Sequence, residues 1–220
     1  MFVSRLFPEA SRPARLWLRN RYRIHQRLCM AFPTAAQHER DPDFLLPFEP
    51  QGFSIHAPRD SGRNFLFRID PNPRAGGGGV LVVQSAIRPD WGYAFRNAEH
   101  LVRRHQTREF SPRFVSGQMR FRLEANPTRR LRETKKRVPV PDTELMAWLD
   151  RHAERGGFRL CGDPALTTGY AIAKNECLLR SVRFEGLLEV ADPVRLRNTV
   201  ISGIGSGKAF GFGLLSVVPL

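Results

Sequence analysis

Tyr22-Arg23-Ile24-His25 is the run in this chain whose residue types and spacing could do chemistry. On a helix, Tyr22 and His25 are three residues apart and share one face. Histidine exchanges protons near neutral pH, and tyrosine can orient or stabilise an oxygen. If the helix opens at Asn20, both lie in its first turns, where free N–H groups and the helix dipole favour a phosphate. The competing reading is packing, because Leu18, Tyr22, His25, Cys29 and Phe32 form a heptad-like stripe that could simply face a core. The other histidines are His38, His56, His100, His105 and His152, and none of the six forms the His-Glu-x-x-His zinc pattern. Asp41 and Asp43, in a loop, make a poor two-metal site. Any chemistry on phosphodiesters is therefore expected to run without a metal and without a cofactor.

A second feature lies near the other end of the chain. Gly203-Ile204-Gly205-Ser206-Gly207-Lys208-Ala209-Phe210-Gly211-Phe212-Gly213 holds five glycines and one lysine. Such backbone can pass close to a ligand, and its N–H groups can cradle phosphate. A Walker loop is excluded, since Ala209 follows the lysine and Ser202 stands where that loop needs glycine. A dinucleotide fingerprint is excluded because no helix with a distant acid can follow. Lys208–Phe212 resembles the aromatic motif of RNA recognition domains, but too little chain remains for the elements that motif requires. Gly203, Gly205, Gly207 and Lys208 are thus candidates to meet a phosphate backbone; the bland alternative is a tight connection between packed elements. Arg129–Arg137 adds Arg129, Arg130, Arg132, Lys135, Lys136 and Arg137 against the single acid Glu133. Most charge runs are solvated loops, but this density favours a nucleic-acid contact.

Composition agrees. The 220 residues carry 35 Lys+Arg against 21 Asp+Glu, a formal charge of +14, which draws polyanions. Arginine, whose planar fork grips phosphate oxygens, supplies nearly all of it: the lysines are Lys135, Lys136, Lys174 and Lys208. No apolar run reaches the ~20 residues of a membrane helix. Met1–Ala10 lacks the apolar stretch of a signal peptide. Cys29, Cys161 and Cys177 are widely spaced and odd in number, as expected of reduced thiols in a cytoplasm.

The elements that must position these residues read as follows. Phe2–Phe7 is a strand; a helix beginning at Ser11, with Pro13 in its first turn, or at Asn20 runs to Phe32. Thr34–Gly62 is loop, with short structure around Phe44–Phe48. Asn64–Ile69 and Val80–Ser85 are strands around a Gly76–Gly79 tip. Ala94–His105 is a second helix and Glu109–Val115 a closing strand. Strand–helix–strand–strand–helix–strand is the split βαβ order of ferredoxin-like domains. The order then recurs: strand Gln118–Glu124, helix Thr143–Arg155, strand or strand pair Leu178–Val190, a helix opened by Asp192-Pro193 and closed by Gly203, and strand Leu214–Val218. The boundary falls near Ser116-Gly117. No residue-level repeat accompanies the recurrence.

Tyr-x-x-His on the first helix, Gln118–Pro127 (Gln-Met-Arg-Phe-Arg-Leu-Glu-Ala-Asn-Pro), Lys136-Arg137-Val138, Ala147-Trp148-Leu149, Phe184-Glu185-Gly186 and the glycine-rich ending together resemble the CRISPR repeat-processing endoribonucleases of type I-E systems, the CasE subfamily. The resemblance implies an α+β chain of two tandem ferredoxin-like (RRM-like) domains. Residues 1–116 would hold the catalytic helix, and residues 117–220 the basic and glycine-rich loops. It implies metal-independent cleavage of precursor CRISPR RNA at the 3′ base of the repeat stem-loop, leaving a 2′,3′-cyclic phosphate. It also implies that the mature guide RNA stays bound and that the protein joins other subunits of a surveillance complex. The family's catalytic histidine and tyrosine fall on His25 and Tyr22. Some relatives place a lysine where this chain has Met30, and Arg23 or Arg27 could substitute; Arg27 or Lys208 could offset transition-state charge. A second reading is a non-catalytic RNA-binding protein of the same fold. A third, a DNA-binding regulator, lacks a helix-turn-helix.

Overall fold

The computed structural model describes residues 1–32, 65–71, 79–173 and 177–220. The fold is α+β and comprises two sheet-bearing units. Met1–Phe110 and Ile172–Cys177 form the first, and Ser111–Ala171 with Leu178–Leu220 the second. The units therefore divide between Phe110 and Ser111, ahead of the Ser116-Gly117 boundary expected from sequence.

In the first unit, β1 (Phe2–Pro8), β2 (Phe65–Pro71), β3 (Gly79–Ser85) and β4 (Val102–Glu109) form an antiparallel sheet in the order β2-β3-β1-β4. Ser4 and Leu6 of β1 are buried while Arg5 between them is exposed, the alternation of a strand with one covered face. Leu6, Phe67, Leu81 and Val83 meet Trp17, Ile24 and Leu28 from the helices and Trp91, Phe95 and Leu101 from the connection before β4.

The first helix is two helices. Ser11 caps α1 (Arg12–Arg19), its side chain accepting from the Ala14 N–H. Asn20, extended at φ −106°, then stops α1 and opens α2 (Arg21–Cys29). Its N–H donates to Trp17 O, and its side-chain oxygen accepts from the N–H groups of Tyr22 and Arg23 at 3.1 Å each. Both starts read from sequence are thus real, because an asparagine can end one helix and cap the next.

The expected helix over Ala94–His105 is overturned. Only Trp91–Ala94 (α3) is helical, capped by Asp90, and turns lead into β4 at Val102, where the expectation placed the helix's second half. β4 reads Val-Arg-Arg-His-Gln-Thr-Arg-Glu, with one buried residue. It has no apolar period to reveal it, and it is a strand because its backbone pairs along β1 at the sheet edge. The Phe44–Phe48 expectation, His38, His56, Asp41, Asp43, Lys174 and the Gly76–Gly78 part of the expected tip lie outside the described residues; Gly79 begins β3.

In the second unit, β5 (Gln118–Ala125) lies between β11 (Leu215–Pro219) and β10 (Leu178–Val190), with β8 (Phe158–Leu160) beyond β10; β9 (Ala165–Ile172) also pairs β10. Phe121, Leu123, Phe184 and Leu188 form a core with Trp148 and Leu149 of α4 (Leu145–Gly156) and Leu196 and Val200 of α5 (Pro193–Ser202). Asp192 caps α5 by accepting from Val194 and Arg195, and Gly203 ends it. A two-stranded ribbon, β6 (Thr128–Arg130) and β7 (Arg137–Pro139), follows β5.

Candidate functional site

Tyr22 and His25 stand one turn apart on α2, both half-buried. The His25 ring stacks on Phe65 of β2, centroids 5.3 Å apart and planes at 29°. Phe65 in turn stacks on Phe32 at 5.3 Å. Nδ1 of His25 is buried, and Nε2 lies 3.6 Å from the sulfur of Cys29, one turn further along α2. The stripe read from sequence therefore straddles the edge of the core: Phe32 is buried, while Leu18, Tyr22, His25 and Cys29 are only partly so. Phe65 could not have been singled out, since an aromatic in a strand is ordinary core material and it lies far from His25 in sequence. Cys29 was visible as the i+4 neighbour.

The start of α2 differs from expectation. The amides of Tyr22 and Arg23 are engaged by Asn20, so they are not the open anion site that a bare helix N-terminus offers. Arg23 is half-buried. Arg27, expected as an RNA-binding cation, is 3% exposed, and its Nη1 donates to the backbone oxygen of Ala94 at 3.0 Å. Burial pushes its pKa down to about 10. Arg27 ties α2 to α3 and is removed from the RNA-facing set.

The remaining candidates fall in the second unit. Arg129 and Arg130 are in β6, Arg137 in β7, and Arg132, Lys135 and Lys136 in the turn between them, all exposed. The run is a hairpin, not the plain loop expected, closed by Leu131 N–H to Lys136 O at 2.9 Å. Arg129 also makes a two-pronged pair with Glu144 at 2.9 and 3.0 Å, fastening the ribbon beside the entry to α4. Thr128 at the base of this ribbon meets Ser206 of the glycine-rich run, hydroxyl to hydroxyl at 3.0 Å, and Asn126 pairs with Ser206 in a β-bridge. Basic ribbon and glycine-rich run are thereby brought together.

Much of that glycine content serves packing. Gly205 has φ +78°, and a Cβ there would lie 3.2 Å from the Trp148 ring. Gly213, at φ +88°, faces the Ile204 carbonyl so closely that a Cβ would sit 2.6 Å from its oxygen. Gly203 is the C-cap of α5, and Gly207 precedes a 3-10 turn over Lys208–Phe210. The Lys208 ammonium donates to Ser202 O, which satisfies a carbonyl at the end of α5. Gly205–Lys208 is half-exposed. Among the described residues, no three His, Cys, Asp or Glu side chains cluster to hold a metal ion, and no helix is long and apolar enough to cross a membrane.

A strand-paired α+β chain with a histidine and tyrosine on one helix and a basic ribbon beside a glycine-rich turn is the frame of a polyanion-handling protein. A family model described as CRISPR associated protein matches residues 1–219. The chain is 34% identical over 227 residues to the CRISPR-associated endoribonuclease Cse3 of Thermus thermophilus, covering 96% of this chain and 95% of that one. It is 28% identical over 224 residues to the CRISPR system Cascade subunit CasE of Escherichia coli, covering 94% and 96%. Among solved structures, Thermus thermophilus Cse3 bound to an RNA representing a pre-cleavage complex matches with a TM-score of 0.79 at 32% identity, over 99% of this chain and 98% of that one. The chain belongs to the CRISPR-associated proteins, in the Cse3/CasE family of type I-E endoribonucleases.

Proposed function

We propose that this protein is the metal-independent endoribonuclease that cuts precursor CRISPR RNA at the 3′ base of the repeat stem-loop. The observation that carries this reading is the match, over nearly the whole of both chains, to an endoribonuclease held with RNA in a pre-cleavage complex. The ribose 2′-OH upstream of the cut attacks the adjacent phosphorus. The 2′-O–P bond forms, the P–O5′ bond breaks, and a 2′,3′-cyclic phosphate is left upstream. One proton leaves the 2′-OH and one reaches the departing 5′-oxygen; His25 serves as the proton-transfer group, and Tyr22 positions the 2′-OH or the phosphate. With Arg27 buried, Arg23 is the cation on the same helix to offset transition-state charge. Arg129, Arg130, Arg132, Lys135, Lys136 and Arg137 track the stem, and Gly203, Gly205 and Gly207 let the backbone approach phosphates. A-form grooves hide base edges, so stem shape and phosphate spacing carry much of the recognition.

Two tandem ferredoxin-like domains are part of the same reading. The order β4-β1-β3-β2 in the first unit supports it, as does β11-β5-β10-β8 in the second, with β6, β7 and β9 as additions. The same reading has the guide RNA retained and the protein assembled with other subunits of a surveillance complex in the cytoplasm; likeness to a Cascade subunit of E. coli supports the assembly.

The test uses cognate repeat hairpin RNA in excess EDTA. Cleavage should proceed and leave the cyclic phosphate or its opened form. A 2′-deoxy nucleotide before the cut should block cleavage while binding persists, and efficient cutting of that substrate would overturn the mechanism. His25→Ala should bind the intact hairpin and slow cleavage by roughly 10²–10⁴-fold, with Tyr22→Phe losing less. A non-catalytic RNA-binding protein would leave the hairpin whole in every arm.

A further inference from the structure

We infer that the first unit carries an RNA-contact surface of its own, on the sheet face turned away from α1 and α2, and that it takes unpaired RNA continuous with the hairpin. The inference rests on the reading of this protein as RNA-binding, not on the cutting step. Antiparallel register sets Arg5 of β1 opposite Gln106 of β4, Phe7 opposite Arg104, and Val3 opposite Arg108. Side chains two positions apart share a face. Arg5, Arg104 and Arg108 therefore lie on one side of the sheet, and the buried Ser4 and Leu6 on the other. All three arginines are exposed. Arg104 and Arg108 are about 13 Å apart along β4, and Arg5 stands diagonal to both, within about 8 Å.

Like charges so placed repel, and the face offers no acid to relieve them. Glu109 falls on the opposite face by alternation, Glu9 lies beyond the end of β1, and Asp70 of β2 is paired with Arg68 at 2.6 Å. Among the described residues, none of the three arginines makes an ion pair. Charge on an edge strand can serve to keep other strands away. That does not account for Arg5, because β1 is an inner strand flanked by β3 and β4. The chemistry of Arg104 narrows the ligand. Its guanidinium lies 4.2 Å from the centroid of the Phe7 ring, which braces a planar cation on the exposed face. Three cations alone would suit any polyanion. A braced guanidinium plane with arginines on either side suits free bases with phosphates running alongside, which a single strand presents and a stem, its bases stacked inside, does not.

The test measures binding of three RNAs: the repeat hairpin alone, the same hairpin with an unpaired adenosine tract at its 5′ end, and one with the tract at its 3′ end. Each carries a 2′-deoxy nucleotide before the cut. For the wild-type chain, at least one tract should tighten binding by about five- to twentyfold, the size of one stacked base. Replacing Arg5, Arg104 and Arg108 together with glutamine should abolish that gain and lower the salt slope for the tract-bearing hairpin by about 2, three contacts of ~0.7 each. Binding and cleavage of the plain hairpin should stay at the wild-type level, which also reports that the variant is folded. If the triple variant does not fold, Arg108→Gln on the edge strand is read against the same RNAs and should lose part of the gain. Arg104→Lys, which keeps the charge but not the plane, should hold the salt slope and lose most of the gain. A wild-type chain indifferent to both tracts would overturn the inference, and so would a triple variant that keeps the gain; either result would leave the face to an acidic protein surface. A lysine variant equal to wild type would overturn the choice of unpaired RNA. The cutting step is judged separately on an all-ribose hairpin. If the tracts bind as expected and that hairpin stays whole, the nuclease reading fails and this surface stands; if it is cut while the tracts add nothing, the surface fails and the nuclease reading stands.

Discussion

Arg23 and Arg27 stand one turn apart on α2 and have different surroundings. Arg27 is buried with a backbone carbonyl as partner, and desolvation lowers its pKa to about 10. Arg27→Ala should therefore act on stability. Loss of a buried side chain and a stranded carbonyl costs about 2–4 kcal/mol, read as a lower melting temperature, while the folded fraction binds RNA with unchanged salt dependence. Arg27→Ala with normal melting but weaker RNA binding would return this residue to the interface. Arg23→Ala should instead keep the melting temperature and reduce the slope of log affinity against log salt by about 0.7–0.9, one phosphate contact. The i, i+4 spacing of the two arginines could not distinguish them, because both read as basic residues near a histidine. What separates them is the carbonyl of Ala94, 67 positions further along the chain from Arg27.

Elements announced by their ends were legible, and elements held by pairing alone were not. Asp192-Pro193 and Gly203 bracket α5 as read, because capping chemistry is local. β4 escaped notice, since an edge strand exposed on nearly every residue has no hydrophobic period. The β6–β7 ribbon looked like a loop because Arg129–Arg137 is almost all charge. Its hairpin form sharpens the expected outcome of substitution. Replacing Arg129, Arg130 and Arg132 together with alanine should weaken stem-loop binding and flatten its salt dependence. Arg129→Ala alone should do less to binding than Arg130→Ala, because Arg129 is partly committed to Glu144. Equal affinity and equal salt slope in the triple variant would make the ribbon ordinary solvated surface.

At the scale of the whole molecule, stability should depend on pH through the second unit. His152 packs its ring 4.3 Å from Trp148, and its pKa is lowered from 6.5, first by burial and then by Arg155 and Arg151. The unfolded chain thus takes up a proton near pH 6.5 that the folded chain resists. Folding is favoured most above that pH, and stability falls as pH drops from about 6.5 through the lower folded value. His152→Gln should shrink this acid-side loss of melting temperature; an unchanged pH slope would remove His152 as its source. The formal charge of +14 adds repulsion of its own, which bound RNA would relieve. The first unit is not one continuous stretch of chain, because it takes in Ile172–Cys177, and Ile172 pairs in parallel with Asn20 at the junction of α1 and α2. During synthesis on the ribosome, the segment bearing Tyr22 and His25 emerges well before Ile172. It must wait until some 150 further residues have been made before its junction gains this pairing. A chain cut short before Ile172 would carry both residues proposed for catalysis yet lack the pairing beside them, so truncated products of interrupted translation would be poorly equipped to handle RNA.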